Sequence, residues 1–191
     1  MANVDRPNGF RPVKSLVGAP WTGLVREYDA GDRSADTTNN HGDLYIGDPV
    51  KLSSGAVLPA NSGDTILGVV VGVGKTTNSF GVTRFFDPDN LGKRYLAYDE
   101  SGVVAVVPAE GVLFEAQTAT DLDLVAGSQA DFSTDATEAH GDRTSGQSSA
   151  EIVTASNNDL EVVEDNTAPD NDTTLANARH YVQFLTTQHT L

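Results

Sequence analysis

Apolar residues along the chain come in short runs, each cut by turn residues before a helical face can build up. Leu44-Tyr45-Ile46, Pro49-Val50-Lys51-Leu52 and Ala56-Val57-Leu58 are bounded by Gly47-Asp48-Pro49, Ser53-Ser54-Gly55 and Asn61-Ser62-Gly63-Asp64, which predicts a meander of short hairpins. Residues 66–73 (ILGVVVGV) are almost continuously apolar, as in a strand buried on both faces, and Gly68 and Gly72 favour a bulge or a close backbone approach. Residues 94–97 and 102–107 predict another hairpin across Asp99-Glu100-Ser101-Gly102. Val112, Phe114 and Ala116 alternate with Glu115 and Gln117, and Leu122 and Leu124 with Asp121 and Asp123, the period of half-buried strands. Strand character resumes over 152–163. In 170–191, Leu175, Ala178, Val182 and Leu185 fall near helical spacing, but Tyr181-Val182-Gln183-Phe184-Leu185 has strong β propensity, and a closing strand is favoured. The expected fold is all-β, a small antiparallel β-barrel or sandwich with an extended N-terminal arm and long polar loops.

The polar stretches set the expected organisation. Arg6-Pro7-Asn8-Gly9-Phe10-Arg11-Pro12 is kept extended by proline and has no sustained period, so it reads as an arm. Residues 29–43 (DAGDRSADTTNNHGD) contain no large apolar side chain and are expected to be an exposed loop or linker. The expected division is therefore an arm and linker over 1–43 and a β-barrel or sandwich domain over 44–191. Within that domain, 128–150 holds only Phe132 as a large apolar residue and is expected to be a polar excursion at the surface.

Composition and charge narrow the function. Valine (21) and threonine (19) dominate the β-branched residues in a chain of 191, with 18 glycines and 8 prolines as punctuation, consistent with pleated strands. The formal charge is −15, which opposes nucleic-acid binding over most of the surface. It is unevenly spread: residues 1–94 hold 10 basic and 10 acidic side chains, residues 95–191 hold 2 and 17. The absence of cysteine removes disulfides, thiolate nucleophiles and cysteine-based zinc sites. No apolar run is long enough for a membrane span, and Met1-Ala2-Asn3-Val4-Asp5-Arg6-Pro7 lacks the apolar stretch of a signal peptide, so the chain is expected to be made in the cytoplasm and not to engage a membrane.

Motifs for catalysis are weak. Gly74-Lys75-Thr76 resembles the end of a phosphate-binding loop, but Val69 stands where the first glycine belongs, and a strand running into a turn is the better reading. Asp87-Pro88-Asp89-Asn90-Leu91-Gly92 has the glycine of a calcium loop, but Leu91 and Tyr98 occupy ligand positions. His41, His140, His180 and His189 are scattered and are expected to be solvated rather than metal ligands. No nucleophile elbow is present, so neither an enzyme nor a metal or cofactor site is expected.

The N-terminal segment is better suited to docking. Arg6, Arg11 and Lys14 with Phe10, the only tryptophan, Trp21, and the rigid Pro7 and Pro12 combine cations, aromatics and fixed backbone. The opening Arg6-Pro7-Asn8-Gly9-Phe10-Arg11-Pro12-Val13 resembles the start of capsid decoration, or cement, proteins of tailed bacteriophages. Gly47-Asp48-Pro49-Val50 through Ile66-Leu67-Gly68-Val69 is similar to their barrel core. Val112-Leu113-Phe114-Glu115-Ala116-Gln117, Pro169-Asp170-Asn171-Asp172, Ala176-Asn177-Ala178-Arg179 and the 181–185 strand before His189 add to the likeness. The resemblance implies a structural virion protein on the outer capsid surface that assembles with itself, commonly as a homotrimer, and clamps adjacent major capsid protein subunits to stabilise the shell. Arg6, Pro7, Phe10, Arg11, Pro12, Lys14 and Trp21 would then be the capsid-binding residues. The alternative is a head fibre or surface adhesion module recognising a host glycan or protein, with a β-fold hydrolase third.

Overall fold

The computed structural model describes residues 3–31, 33, 42–77, 83–84, 95–133 and 141–188. In chain order the strands are β1 (Arg11–Ser15), β2 (Arg26–Ala30), β3 (Leu44–Tyr45), β4 (Pro49–Ser53), β5 (Ala56–Pro59), β6 (Gly68–Thr77), β7 (Thr83–Arg84) and β8 (Tyr95–Leu96). They continue as β9 (Ser101–Pro108), β10 (Val112–Gln117), β11 (Gln129–Ser133), β12 (Gly141–Asp142), β13 (Gln147–Ser148), β14 (Glu151–Thr154), β15 (Leu160–Asp165) and β16 (Arg179–Phe184). The fold is all-β, and no helix occurs among the described residues.

Two antiparallel sheets carry the architecture. One has the order β1-β10-β16-β15-β11-β14, the other β2-β9-β6-β4-β5 with β7 on the end of β6. The first sheet buries one face: along β16, His180, Val182 and Phe184 point inward and alternate with Arg179, Tyr181 and Gln183, the period of two that pleating imposes. The middle of the second sheet is buried on both faces. Val69 and Val107 join Phe114, Phe132, Ile152, Leu160, Val182 and Phe184 in the core between the sheets, whereas Val70, Val104 and Val106 turn the other way to Val50, Val57, Leu44 and Leu96 in a second core. This explains the unbroken apolar run of β6, which alternates between two cores rather than between core and water. The edge strands β2 and β5 come into contact, so the second sheet curls without closing into a hydrogen-bonded barrel.

The two glycines in the β6 run do different things. A Cβ on Gly68 would stand 2.1 Å from the Val107 carbonyl oxygen, so only glycine lets β6 approach β9 this closely. The β6–β9 register shifts between Val70 and Gly72, which marks a bulge at Val71.

Several expectations are corrected. The N-terminal segment is extended but is no detached arm: β1 pairs with β10, β2 pairs with β9, and Phe10 is 1% exposed. Proline leaves an edge strand possible, and Phe10 supplies the apolar anchor that the segment's composition conceals. Of the expected linker 29–43, Ala30, Arg33 and Asp43 are buried, while 32 and 34–41 lie outside the described residues. Residues 44–45 pair with 95–96 rather than with β4, and β9 pairs with β2 and β6, so the hairpin expected across 99–102 does not form. Leu122 and Leu124 pack against the main core from a non-strand segment. The expected excursion 128–150 begins with β11, whose Ala130, Asp131 and Phe132 are buried, and ends in the small β12–β13 hairpin; 134–140 lie outside the described residues.

The remaining motif positions divide in the same way. Gly74-Lys75-Thr76 is strand. His180 is fully buried rather than solvated, because its position on β16 falls in the inward phase. The calcium-like segment 87–92 and His41, His140 and His189 lie outside the described residues.

Candidate docking cleft

Gly9 sets the course of the N-terminal segment. Its φ is +63°, and a Cβ there would lie 2.4 Å from the Gly47 carbonyl oxygen. The turn directs Phe10 inward, where its N–H donates to Gly47 O at 2.9 Å and its ring lies 5.1 Å from Phe184 and 6.1 Å edge-on from Phe132. Residues 6–12 thus run across the molecule between the 46–47 turn and β10. Beside them opens a cleft of about 810 Å³, within the range of ligand-sized concavities.

The apolar lining of the cleft comes from Phe10, Trp21, Val70, Val71 and Ala116; Phe10, Val70 and Ala116 are buried, so the partly exposed Trp21 and Val71 present its accessible apolar surface. Its rim is cationic: Arg6, Arg11 and Arg179 face a single acidic side chain, Glu115. Arg11 gives one hydrogen bond to Glu115 Oε1 at 2.8 Å, whose other oxygen accepts from Asn166 Nδ2 at 2.8 Å. Arg179 gives one to Asp170 at 2.7 Å. The Arg6 side chain is exposed and makes no ion pair among the described residues, while its backbone N–H donates to Gln117 Oε1 at 3.0 Å. Gln117 is fully committed, because its amide nitrogen also faces Asp5, Glu151 and Asn177 oxygens at 3.1, 2.8 and 3.3 Å. Burial raises the Glu151 pKa, with the Gln117 bond opposing and the Asp5 charge adding to the rise.

Five of the seven sequence-selected residues, Arg6, Phe10, Arg11, Pro12 and Trp21, line this one cleft. Phe10 does so from within the core. Pro7 and Lys14 are not among its lining residues; Lys14 instead pairs with Glu164 at 2.5 Å and lies 5.2 Å over the Tyr181 ring. Trp21 is half-buried, and its indole N–H is buried without a hydrogen-bond partner. Sequence reading missed Arg179, Glu115 and Gln147. Arg179 carried a usable signal as one of only two basic residues after position 94.

The second of those, Arg143, does a different job. It binds both oxygens of the buried Asp43, at 2.8 and 3.1 Å, and lies over Tyr95. Asp43 also accepts from the Tyr45 hydroxyl and Tyr98 N–H, each at 2.9 Å. Next to it, Asp48 accepts from Tyr45 N–H at 2.7 Å through one oxygen and buries the other without a partner. Burial, helped by the Asp43 charge, pushes Asp48 up to about 7. This network ties the β12–β13 hairpin to the segment before β4. Among the described residues no cluster of three or more potential metal ligands occurs. Comparison with protein-family models, with curated proteins and with solved structures found no match.

The loop that carries Trp21 also carries exposed apolar side chains. Of eight large hydrophobic residues standing exposed among the described residues, Leu16, Val17, Leu24 and Val25 fall within 16–25. This loop joins β1, an edge of the first sheet, to β2, an edge of the second. Val17 is 91% exposed.

Proposed function

We propose that this chain is a structural virion protein that docks on the outside of a tailed-phage capsid and stabilises the shell by bridging adjacent major capsid subunits. The observation that carries the reading is the loop 16–25, which joins the edge strands of the two sheets and presents Leu16, Val17, Leu24 and Val25 to solvent. Exposed hydrophobics gathered in one segment mark a contact surface. The N-terminal resemblance to decoration proteins agrees with this placement, since the same segment supplies β1, the loop and the cleft wall. Repeated over a symmetric lattice, modest contacts sum to large avidity. A protein that binds only the assembled shell stabilises it by mass action.

The deciding experiment is the composition of gradient-purified particles of the virus that carries this sequence, with the 20.1 kDa chain quantified against the major shell protein. About one copy per shell subunit is expected. A few copies per particle would instead indicate a fibre or vertex protein, and absence from particles would overturn the proposal.

A further inference from the structure

We propose that the cleft walled by residues 6–12, β6 and β10 receives an extended acidic segment of a partner protein, with a carboxylate on Arg6 and an apolar neighbour against Trp21 and Val71. The inference rests on the docking role above and names the chemistry that the docked partner brings.

Three observations converge on this occupant. The first is charge: a chain of net charge −15 gathers Arg6, Arg11 and Arg179 around a single concavity, with Arg11 paired to Glu115, Arg179 paired to Asp170 and Arg6 in no ion pair among the described residues. Arg11 and Arg179 each use one terminal nitrogen on a neighbouring carboxylate, so other guanidinium N–H groups are left to give, and Arg6 has all of its own. An anionic group is the complement. The second is shape: a cleft of about 810 Å³ with accessible apolar lining at Trp21 and Val71 exceeds what a lone inorganic anion fills, so the ligand carries an apolar body beside its charge. The third is backbone. Val71, which the bulge in β6 takes out of its ladder register, is partly exposed and lines the cleft, so an extended peptide laid along it would direct alternate side chains to the arginines and to Trp21 and Val71.

The test uses the full chain and a dye-labelled, doubly capped heptapeptide, Glu-Val-Glu-Phe-Glu-Val-Glu, read by fluorescence anisotropy. Binding is expected, with a tenfold or greater loss in Arg6→Glu, recovery to within about threefold in Arg6→Lys, and less than twofold change in Arg26→Glu on β2 outside the cleft. The Arg6 side chain is exposed, so the thermal midpoint of Arg6→Glu should match the parent; if that variant fails to fold, Arg6→Gln replaces it with a threefold or greater loss expected. Equal binding of the lysine-for-glutamate peptide, equal competition by inorganic phosphate, or indifference to Arg6→Glu would each overturn the assignment. So would Arg6-dependent self-association, which would make a second copy the occupant. Peptide binding by a chain absent from particles would sink the virion role and leave the cleft assignment standing; a chain abundant in particles that ignores the peptide would do the reverse.

Discussion

Phe10→Ala measures whether the N-terminal segment belongs to the fold. The ring is 1% exposed and sits among Phe132 and Phe184 in the core between the two sheets. Truncation loses the transfer free energy of the ring, the edge contacts to two aromatics, and the packing around the resulting void, about 3–5 kcal/mol together. Domain stabilities lie at about 5–15 kcal/mol, so the variant should remain folded near room temperature but unfold early. At about 2–4 °C per kcal/mol for a chain of this size, the thermal midpoint should fall by about 6–20 °C. Trp21 packs against the same cluster, so its fluorescence during urea unfolding reports the change, with circular dichroism as a second probe. Val4→Ala, at a site 64% exposed, is the reference and should stay within about 0.5 kcal/mol. A Phe10→Ala midpoint indistinguishable from that reference would refute the placement of the segment in the core. If the placement holds, deleting residues 1–20 removes β1 and a core aromatic along with any docking contact, and point variants on the cleft rim become the proper test of binding.

Other consequences are as direct. Asp48 is held protonated up to about 7 against an ordinary 3.8, so between those values the folded state binds more protons than the unfolded one, and stability should fall as pH rises, by about 4 kcal/mol across the window at 1.36 kcal/mol per unit. Asp48→Asn should flatten that limb in urea midpoints measured from pH 4 to 8; an unchanged slope would exclude Asp48 as its source. His180 is depressed by burial, with Asp165 at 3.5 Å opposing, so it folds neutral while the unfolded chain takes a proton below about 6.5, and its contribution falls on acidification. His180→Leu should reduce that acid-side loss in the same series, and a steeper loss would contradict the assignment. Gly68→Ala pushes a methyl group against the Val107 carbonyl and should cost at least about 1–3 kcal/mol. Gly72→Ala meets only Ala105 Cβ at 3.5 Å and should be neutral or slightly stabilising in the same denaturation assay; equal costs at the two positions would refute the close approach at Gly68.

Strand positions were legible because their signals are local. Alternation marks β10, although Leu113 and Gln117 on its other side are buried too, β propensity over 181–185 marks β16, the turn Ser53-Ser54-Gly55 marks the β4–β5 hairpin, and the glycines in β6 marked both a tight crossing and a bulge. Pairing was not legible, because nothing near Leu44 says that its partner is Leu96, and neighbours in sequence are only the default partners in a sheet. Phe10 was misplaced for the same reason: its inward turn depends on Gly9 meeting Gly47, a contact invisible to any window around residue 10. The cleft was half legible. Cations interleaved with aromatics singled out Arg6, Phe10, Arg11 and Trp21, but Arg179 joins them only through the order β1-β10-β16. His180 reads as a polar residue by type and as a core residue only by its phase on β16.

The uneven charge then acquires a physical reading. Both basic residues of the acidic half are held against carboxylates, Arg143 on Asp43 and Arg179 on Asp170, so the field of that half is almost wholly negative. Charge of one sign on that half opposes the approach of other acidic surfaces. An acidic partner segment is repelled as well at distances where the whole charge acts, and it gains attraction only once seated beside Arg6. At physiological ionic strength charges are screened beyond about 8 Å, so the distant repulsion weakens while a contact inside the cleft keeps most of its strength. Long-range charge here opposes encounter and short-range charge favours the correct seat. That combination rejects loosely matched surfaces and accepts one whose shape brings its carboxylate to the rim and its apolar side chain to Trp21 and Val71. The apolar side chains of loop 16–25 would add their contribution only after that fit is made.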